Sequence, residues 1–146
     1  MHKLVIDTCV FVEGFIGMEE SSSSILLDEI DKNGSRYIFS MDTVGELLYI
    51  LKKECNSVHF EFEQTNIILT TAVTFFQNGK SINTRRTVSP FRATDPDDQM
   101  FIDAAYEAGA THIITLDKKS GILQLEDTPF KCMTPDEYLE SLVTVE

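Results

Sequence analysis

The sequence predicts an α/β fold, a three-layer α/β/α sandwich around a mostly parallel sheet. Three observations carry the prediction. Leu4-Val5-Ile6 is a short, fully apolar run ending at Asp7, the pattern of a strand buried on both faces. A second run, His112-Ile113-Ile114-Thr115-Leu116, ends the same way at Asp117. Strand-like segments alternate with capped, amphipathic segments of helical length.

In chain order, an apolar segment follows Asp7 as far as Met18. Ser21–Ser24 then offer N-caps, and Leu26, Leu27 and Ile30 mark a helix that stops at Asn33-Gly34. Arg36–Phe39 reads as a second strand. Ser40 opens the next helix, whose Val44, Leu47, Leu48 and Leu51 fall at i, i+3, i+4 and i+7. Lys52 and Lys53 are expected near its end, where they complement the dipole. Val58–Phe76 is apolar but rich in threonine, and reads as one or two helices ending before Asn78-Gly79. Ser81–Thr94 is a connection with room for a short extended piece around Ile82. Asp95 and Pro96 supply the N-cap and first position of a helix that runs to about Ala108 and ends at Gly109. After the strand into Asp117 comes a short one at Phe130–Met133. Thr134 and Glu137 form a capping box, with Met133 and Tyr138 placed as a hydrophobic staple over the last helix. No repeat or linker interrupts residues 1–146, which read as one domain.

A chain of 146 residues buries roughly 68–70% of its unfolded surface, enough for a substantial core. Its 42% hydrophobic and 25% charged content is that of a globular protein, not a disordered one. With 12 basic against 24 acidic side chains, the net charge of −12 argues against a duplex-coating protein. It suits an enzyme that gathers carboxylates around a divalent cation, although solubility accounts for most of the acids. Cys9, Cys55 and Cys132 are odd in number with no C-x-x-C spacing, and read as reduced thiols. Asp7 arrives too soon after the N-terminus for a signal peptide, and no apolar run approaches the ~20 residues of a membrane span. The expectation is a cytoplasmic protein without membrane contact.

In open α/β sheets, ligands bind beyond the carboxyl ends of the strands. If the strands ending at Asp7 and Asp117 are neighbours, both acids point into one crevice; otherwise each simply caps its turn. Asp98 shares an azimuth with Phe101, Ile102 and Ala105, so it faces the core unless it serves only as a first-turn acid favoured by the dipole. Asp97 reads as solvent-facing. Asp103, with Gln99 and Glu107 on the polar face, is the substitute for Asp98 and otherwise a supporting neighbour. Glu46 lies off its helix's apolar stripe, where a solvated glutamate is the plain reading. Unit charges 4 Å apart interact by about 4 kcal/mol at an effective dielectric near 20, so clustered acids need a cation to stay ionised. Mg²⁺ or Mn²⁺ suits carboxylate oxygens arranged around phosphate. His2, His59 and His112 are scattered in the sequence and offer no zinc set. A phosphatase-type aspartyl nucleophile at Asp7 would want a second aspartate two residues on, where Cys9 stands.

At these residues the chain resembles the PIN-domain superfamily, in particular small prokaryotic toxin–antitoxin (VapC-like) PIN proteins. Val5-Ile6-Asp7-Thr8-Cys9-Val10 resembles the family's strand followed by Asp-Thr-Asn-Val. Gly45-Glu46-Leu47 is similar to the second motif. Asp95-Pro96-Asp97-Asp98-Gln99-Met100-Phe101-Ile102 resembles Asp-Pro-x-Asp-(Asp/Asn)-x-Phe-Leu, and Ala108–Asp117 the closing Ala-Gly-Ala-x-x-(Ile/Leu)-Val-Thr-x-Asp. The resemblance, not periodicity, selects Glu46, and it favours Asp98 as the third acid.

It implies a metal-dependent endoribonuclease with Asp7, Glu46, Asp98 and Asp117 as catalytic, Mg²⁺- or Mn²⁺-binding residues. Thr8 and Thr115 match supporting hydroxyl positions. An RNA substrate, a small antitoxin partner and a homodimer are implied in the same way. Two positions depart from the pattern: Cys9 replaces the usual Asn, and Lys119 stands where many relatives carry another acid. They keep a catalytically inactive PIN-like binding module as the alternative.

Charge is unevenly spread. Gln64–Thr94 holds no Asp or Glu, yet Lys80, Arg85, Arg86 and Arg92 lie in its second half. Arg85, Arg86 and Arg92 are therefore the expected phosphate contacts, giving backbone positioning with little sequence readout; a solvated loop that merely lacks acids is the other reading.

Overall fold

A computed structural model describes residues 1–144 of the chain. Five strands, β1 (Lys3–Ile6), β2 (Arg36–Phe39), β3 (Lys80–Ser81), β4 (His112–Ile114) and β5 (Lys131–Met133), form one sheet in the order β3-β2-β1-β4-β5. Every neighbouring pair is parallel. In register, Val5 of β1 lies between Ile38 of β2 and Ile113 of β4. Past their first residues, Lys3, Arg36 and His112, the three central strands are apolar because both of their faces are covered.

The alternation of β1 separates two cores. Leu4 and Ile6 pack with Val10 and Phe11 of α1 (Thr8–Ile16), Leu26 and Leu27 of α2 (Ser22–Lys32) and Leu47 and Leu51 of α3 (Met41–Ser57). Ala72 of α4 (Phe62–Asn78) and Tyr138 of α6 (Pro135–Thr144) complete that layer. Val5 faces the other way with Ile38 and Ile113, against Phe101, Ile102, Ala104 and Ala105 of α5 (Gln99–Ala108). The result is the expected three-layer sandwich, with a sheet that is parallel throughout. Among the described residues, no helix is long and apolar enough to cross a membrane.

Most caps lie where the sequence places them. Ser21 accepts from Ser24 N at 3.1 Å, and Ser40 and Thr43 form a capping box. Thr134 N–Glu137 Oε1 (3.1 Å) and Glu137 N–Thr134 Oγ1 (3.2 Å) close the box at α6. Gly109 ends α5 with φ 61, the left-handed conformation that glycine adopts cheaply. The stretch read as one or two helices forms a single one, α4, which runs through Asn78 to a cap at Gly79; its threonines are accommodated by hydroxyl donation back along the chain: Thr71 to Ile67 O at 2.8 Å and Thr74 to Thr70 O at 3.1 Å. The extended piece expected around Ile82 pairs through Ile82 N to Phe39 O at 2.8 Å.

Three features differ from the sequence reading. The apolar segment after Asp7 is a helix, α1; it is apolar nearly all round, so no polar stripe marks its period. At the contact of α1 with α2, a Cβ on Gly14 would meet Leu27 Cδ1 at 2.5 Å, so the end of that leucine would have to shift. Lys52 and Lys53 do not lie in the last turn of α3: the helix continues to Ser57 because Cys55 extends its buried face, and that turn holds no basic residue. The histidines are not all scattered. The register Leu4↔His112 brings His2 to His112, with ring centroids 4.6 Å apart, and His2 Nδ1 lies 2.8 Å from the Tyr138 hydroxyl.

Candidate active site

Strand order runs outward from β1 to β2 and β3, then returns to β4 on the other side of β1. The parallel connections leave the sheet in opposite directions at that boundary, which opens a crevice above the carboxyl ends of β1 and β4. Asp7 and Asp117 follow those two strands.

Asp7 N donates to Ile114 O at 2.9 Å, which holds the residue against β4, and Asp7 is only 5% exposed. Thr115 donates its hydroxyl to Asp7 Oδ2 at 2.7 Å and accepts from Asp117 N at 3.0 Å. One buried hydroxyl therefore ties the two strand ends together. Asp117 Oδ1 accepts from Lys119 N at 2.8 Å, so the lysine that departs from the family pattern contributes its main chain here. On the other side, Thr8 at the start of α1 donates to Glu46 Oε2 at 2.6 Å, reaching one turn into α3. Asp98 ends a 3-10 turn at Pro96–Asp98, capped by Asp95, whose carboxylate accepts from Asp97 N at 2.9 Å.

Electrostatics joins the four acids. Burial pushes the Asp98 carboxyl up to about 6, reinforced by the charges of Asp7, Asp95, Asp117 and Glu46. Burial also raises Asp7, opposed by the Thr115 hydrogen bond and assisted by the charge of Glu46. Cys9 fills its position as a neutral thiol: burial, then the Asp7 charge, pushes it up to about 12. Its sulfur accepts from Leu116 N at 3.4 Å and lies 3.7 Å from Thr115 Oγ1, so it serves as packing and weak polar support, not as a nucleophile.

Among the described residues, no three His, Cys, Asp or Glu side chains already form a set arranged around an ion. The chemistry of the donors nevertheless fits a hard divalent cation: they are carboxylate oxygens only, two of them held by hydroxyls, and burial together with neighbouring negative charge favours the protonated forms of Asp7 and Asp98.

Asp103 does not join the four. It is half-buried and accepts from Gln99 Nε2 at 3.0 Å. Gln99 also donates to Phe91 O at 2.9 Å and accepts from Ala93 N at 2.8 Å, clamping the loop on both sides of exposed Arg92. Gln99 follows Asp98 directly, so the main chain at Arg92 is the part of the loop that Gln99 ties to the start of α5. Arg85 and Arg86 instead border a depression with Asn83 and Glu107. Glu107 lies nine residues beyond Asp98, about 13 Å along the helix at ~1.5 Å per residue.

A cleft runs from Asp7, Thr8 and Glu46 between α1 and α3, where Glu13 and Glu54 join its wall. Sequence reasoning missed both. Glu54 carried a signal, since Glu46, Ile50 and Glu54 recur at every fourth residue; Glu13 had none without α1.

A model of the PIN domain family matches residues 3–119. Among solved structures, the chain is similar to one described as the crystal structure of VapBC2 from Rickettsia felis bound to a DNA fragment from their promoter. The TM-score is 0.57 at 12% identity, covering 90% of this chain and 98% of that one. No curated protein matches.

Proposed function

The chain belongs to the PIN domain family, and on that premise we propose that it is a Mg²⁺- or Mn²⁺-dependent endoribonuclease, the toxin of a toxin–antitoxin pair. The observation that carries the reading is the Asp7–Thr115–Asp117 linkage across β1 and β4, with Glu46 and Asp98 electrostatically coupled to it. Asp7, Glu46, Asp98 and Asp117 would hold the cation. When bound, it supplies neutralising charge for the scissile phosphate and acidifies water at the site.

The chain's own residues orient the reaction. Thr115 and Thr8 each hold one oxygen of Asp7 and Glu46, which limits the rotation left to those carboxylates as the acids close on a cation. Burial and the neighbouring acids favour the protonated form of Asp98 while no cation is bound, so the cation's charge is what would keep it ionised as a ligand. Arg92, braced by Gln99, would hold a phosphate beside the carboxylates, with Arg85 and Arg86 meeting the RNA further along. The similarity to a VapBC2 structure supports a small protein antitoxin as partner. The free thiols of Cys9, Cys55 and Cys132 accord with the cytoplasm.

The test is cleavage of mixed RNA in Mg²⁺, Mn²⁺ or EDTA by the wild type and Asp98→Asn. Cutting that needs the cation and disappears in the variant is expected. No cutting in either cation would favour the inactive binding module that Cys9 and Lys119 raise as the alternative.

A further inference from the structure

The cleft has two chemically different ends. At one, Asp7 and Glu46 belong to the proposed cation site. The other is built from two helical stripes that face each other: Val12 and Glu13 on α1, and Ile50 and Glu54 on α3, with Leu116 closing the wall. Glu54 lies two turns beyond Glu46, about 12 Å along the helix axis at ~1.5 Å per residue. The whole cleft, the Asp7–Glu46 end included, is open to solvent and holds about 420 Å³, within the roughly 300–1,000 Å³ range of small-molecule sites. Glu13 is held in place by Ser23, whose hydroxyl donates to Oε1 at 2.9 Å.

Among the described residues, no Lys or Arg contributes to this lining, so Glu13 and Glu54 would repel a phosphate that entered the far end. The apolar side chains of Val12, Ile50 and Leu116 suit a flat uncharged group, and the flanking carboxylates are acceptors only. A nucleobase with an amino donor meets both demands. Cytosine presents its N4 amino group, adenine its N6 and guanine its N2, whereas uracil has no amino group and places the O4 carbonyl where cytosine has its donor. In a duplex those edges are engaged in pairing, so only an unpaired base fits.

Building on the nuclease reading, we propose that the Val12–Ile50–Leu116 end of the cleft seats an unpaired, amino-bearing base of the RNA, with Glu13 and Glu54 accepting from the amino group. The phosphate next to that base then lies toward Asp7 and Glu46. The enzyme selects single-stranded RNA with an amino-bearing base, not uracil, in the seat.

Two measurements test this. In the first, cytidine, adenosine, uridine and an arginine-rich peptide are titrated against protein carrying ¹³C-labelled Ile and Val methyl groups. Cytidine and adenosine should shift the Ile50 and Val12 signals at concentrations roughly fivefold or more below uridine, the factor that about 1 kcal/mol of base discrimination produces. In the second, kcat/KM is compared in Mg²⁺ for single-stranded oligonucleotides differing at one base, using the wild type and the double variant Glu13→Gln, Glu54→Gln. The variant should still cut but lose the preference.

Selective methyl shifts without cleavage by any protein would retain the seat and remove the nuclease reading. Cleavage without base preference, together with equal shifts for all three nucleosides, would overturn the seat alone. Shifts only with the peptide would overturn it in favour of a basic protein segment.

Discussion

The hydroxyl of Thr115 donates to Asp7 Oδ2 at 2.7 Å, across the boundary where the strand order of the sheet reverses. Both residues are buried, so the bond has little competition from water. Thr115→Val keeps the shape and removes the donor. It should cost about 1–3 kcal/mol for the buried carboxylate left short of a partner, read from urea unfolding, and it should depress RNA cleavage. Thr115→Ser should restore most of both. Cleavage by the valine variant at the wild-type rate would show that Asp7 does not depend on this bond.

Asp98 gives a pH signature. Its carboxyl is raised to about 6 in the fold against 3.8 as a free group, so the fold favours the protonated form. The resulting stability is fully present below pH 3.8 and is lost as pH rises through about 6. Asp98→Asn, neutral at every pH, should therefore melt higher than the wild type in EDTA above pH 6, with the gain shrinking toward pH 4. An equal gain at both ends of that range would contradict the charge cluster.

His112 slopes the other way. Burial, then the positive charge of His2 and Lys131, pulls its imidazolium down to about 4 from 6.5. The unfolded chain then binds the proton first, so stability should fall as pH drops from 6.5 to 4. His112→Gln should flatten that limb of the Tm–pH curve. An unchanged slope would mean that His112 is protonated in the fold.

Gln99 and Arg92 should act as a pair on RNA. Arg92→Ala should raise KM, leave kcat near the wild-type value and reduce the salt slope by about 1. Gln99→Ala, which frees Phe91 O and Ala93 N, should do the same and add little in combination with Arg92→Ala. The double variant Arg85→Ala, Arg86→Ala should have the smaller effect on short substrates, since these arginines lie beside Glu107 and not Asp98. Additive losses from Gln99 and Arg92 would separate the clamp from the arginine.

The layers, and the two acids at strand ends, could be read from the chain because each is a local pattern: an apolar run that stops at an aspartate. The azimuth that Asp98 was expected to share with Phe101 and Ile102 assumes an α-helix from Pro96, whereas Asp98 ends a 3-10 turn and α5 begins at Gln99. Glu46 was not legible, because what distinguishes it is a bond from Thr8, which lies 38 positions away on another helix. The pairing of His2 with His112 likewise exists only through the parallel register of β1 and β4. Arg85, Arg86 and Arg92 looked equivalent in one acid-free stretch; the Gln99 clamp separates them, and a glutamine on a polar helix face gives no hint of that.

The most direct test of the central claim, that the four acids act as one cation site, is calorimetric titration of Mn²⁺ into the wild type, Asp7→Asn and Asp98→Asn. The wild type should bind, and each variant should lose roughly tenfold or more in affinity. No heat of binding to the wild type, or identical affinities across all three proteins, would contradict it.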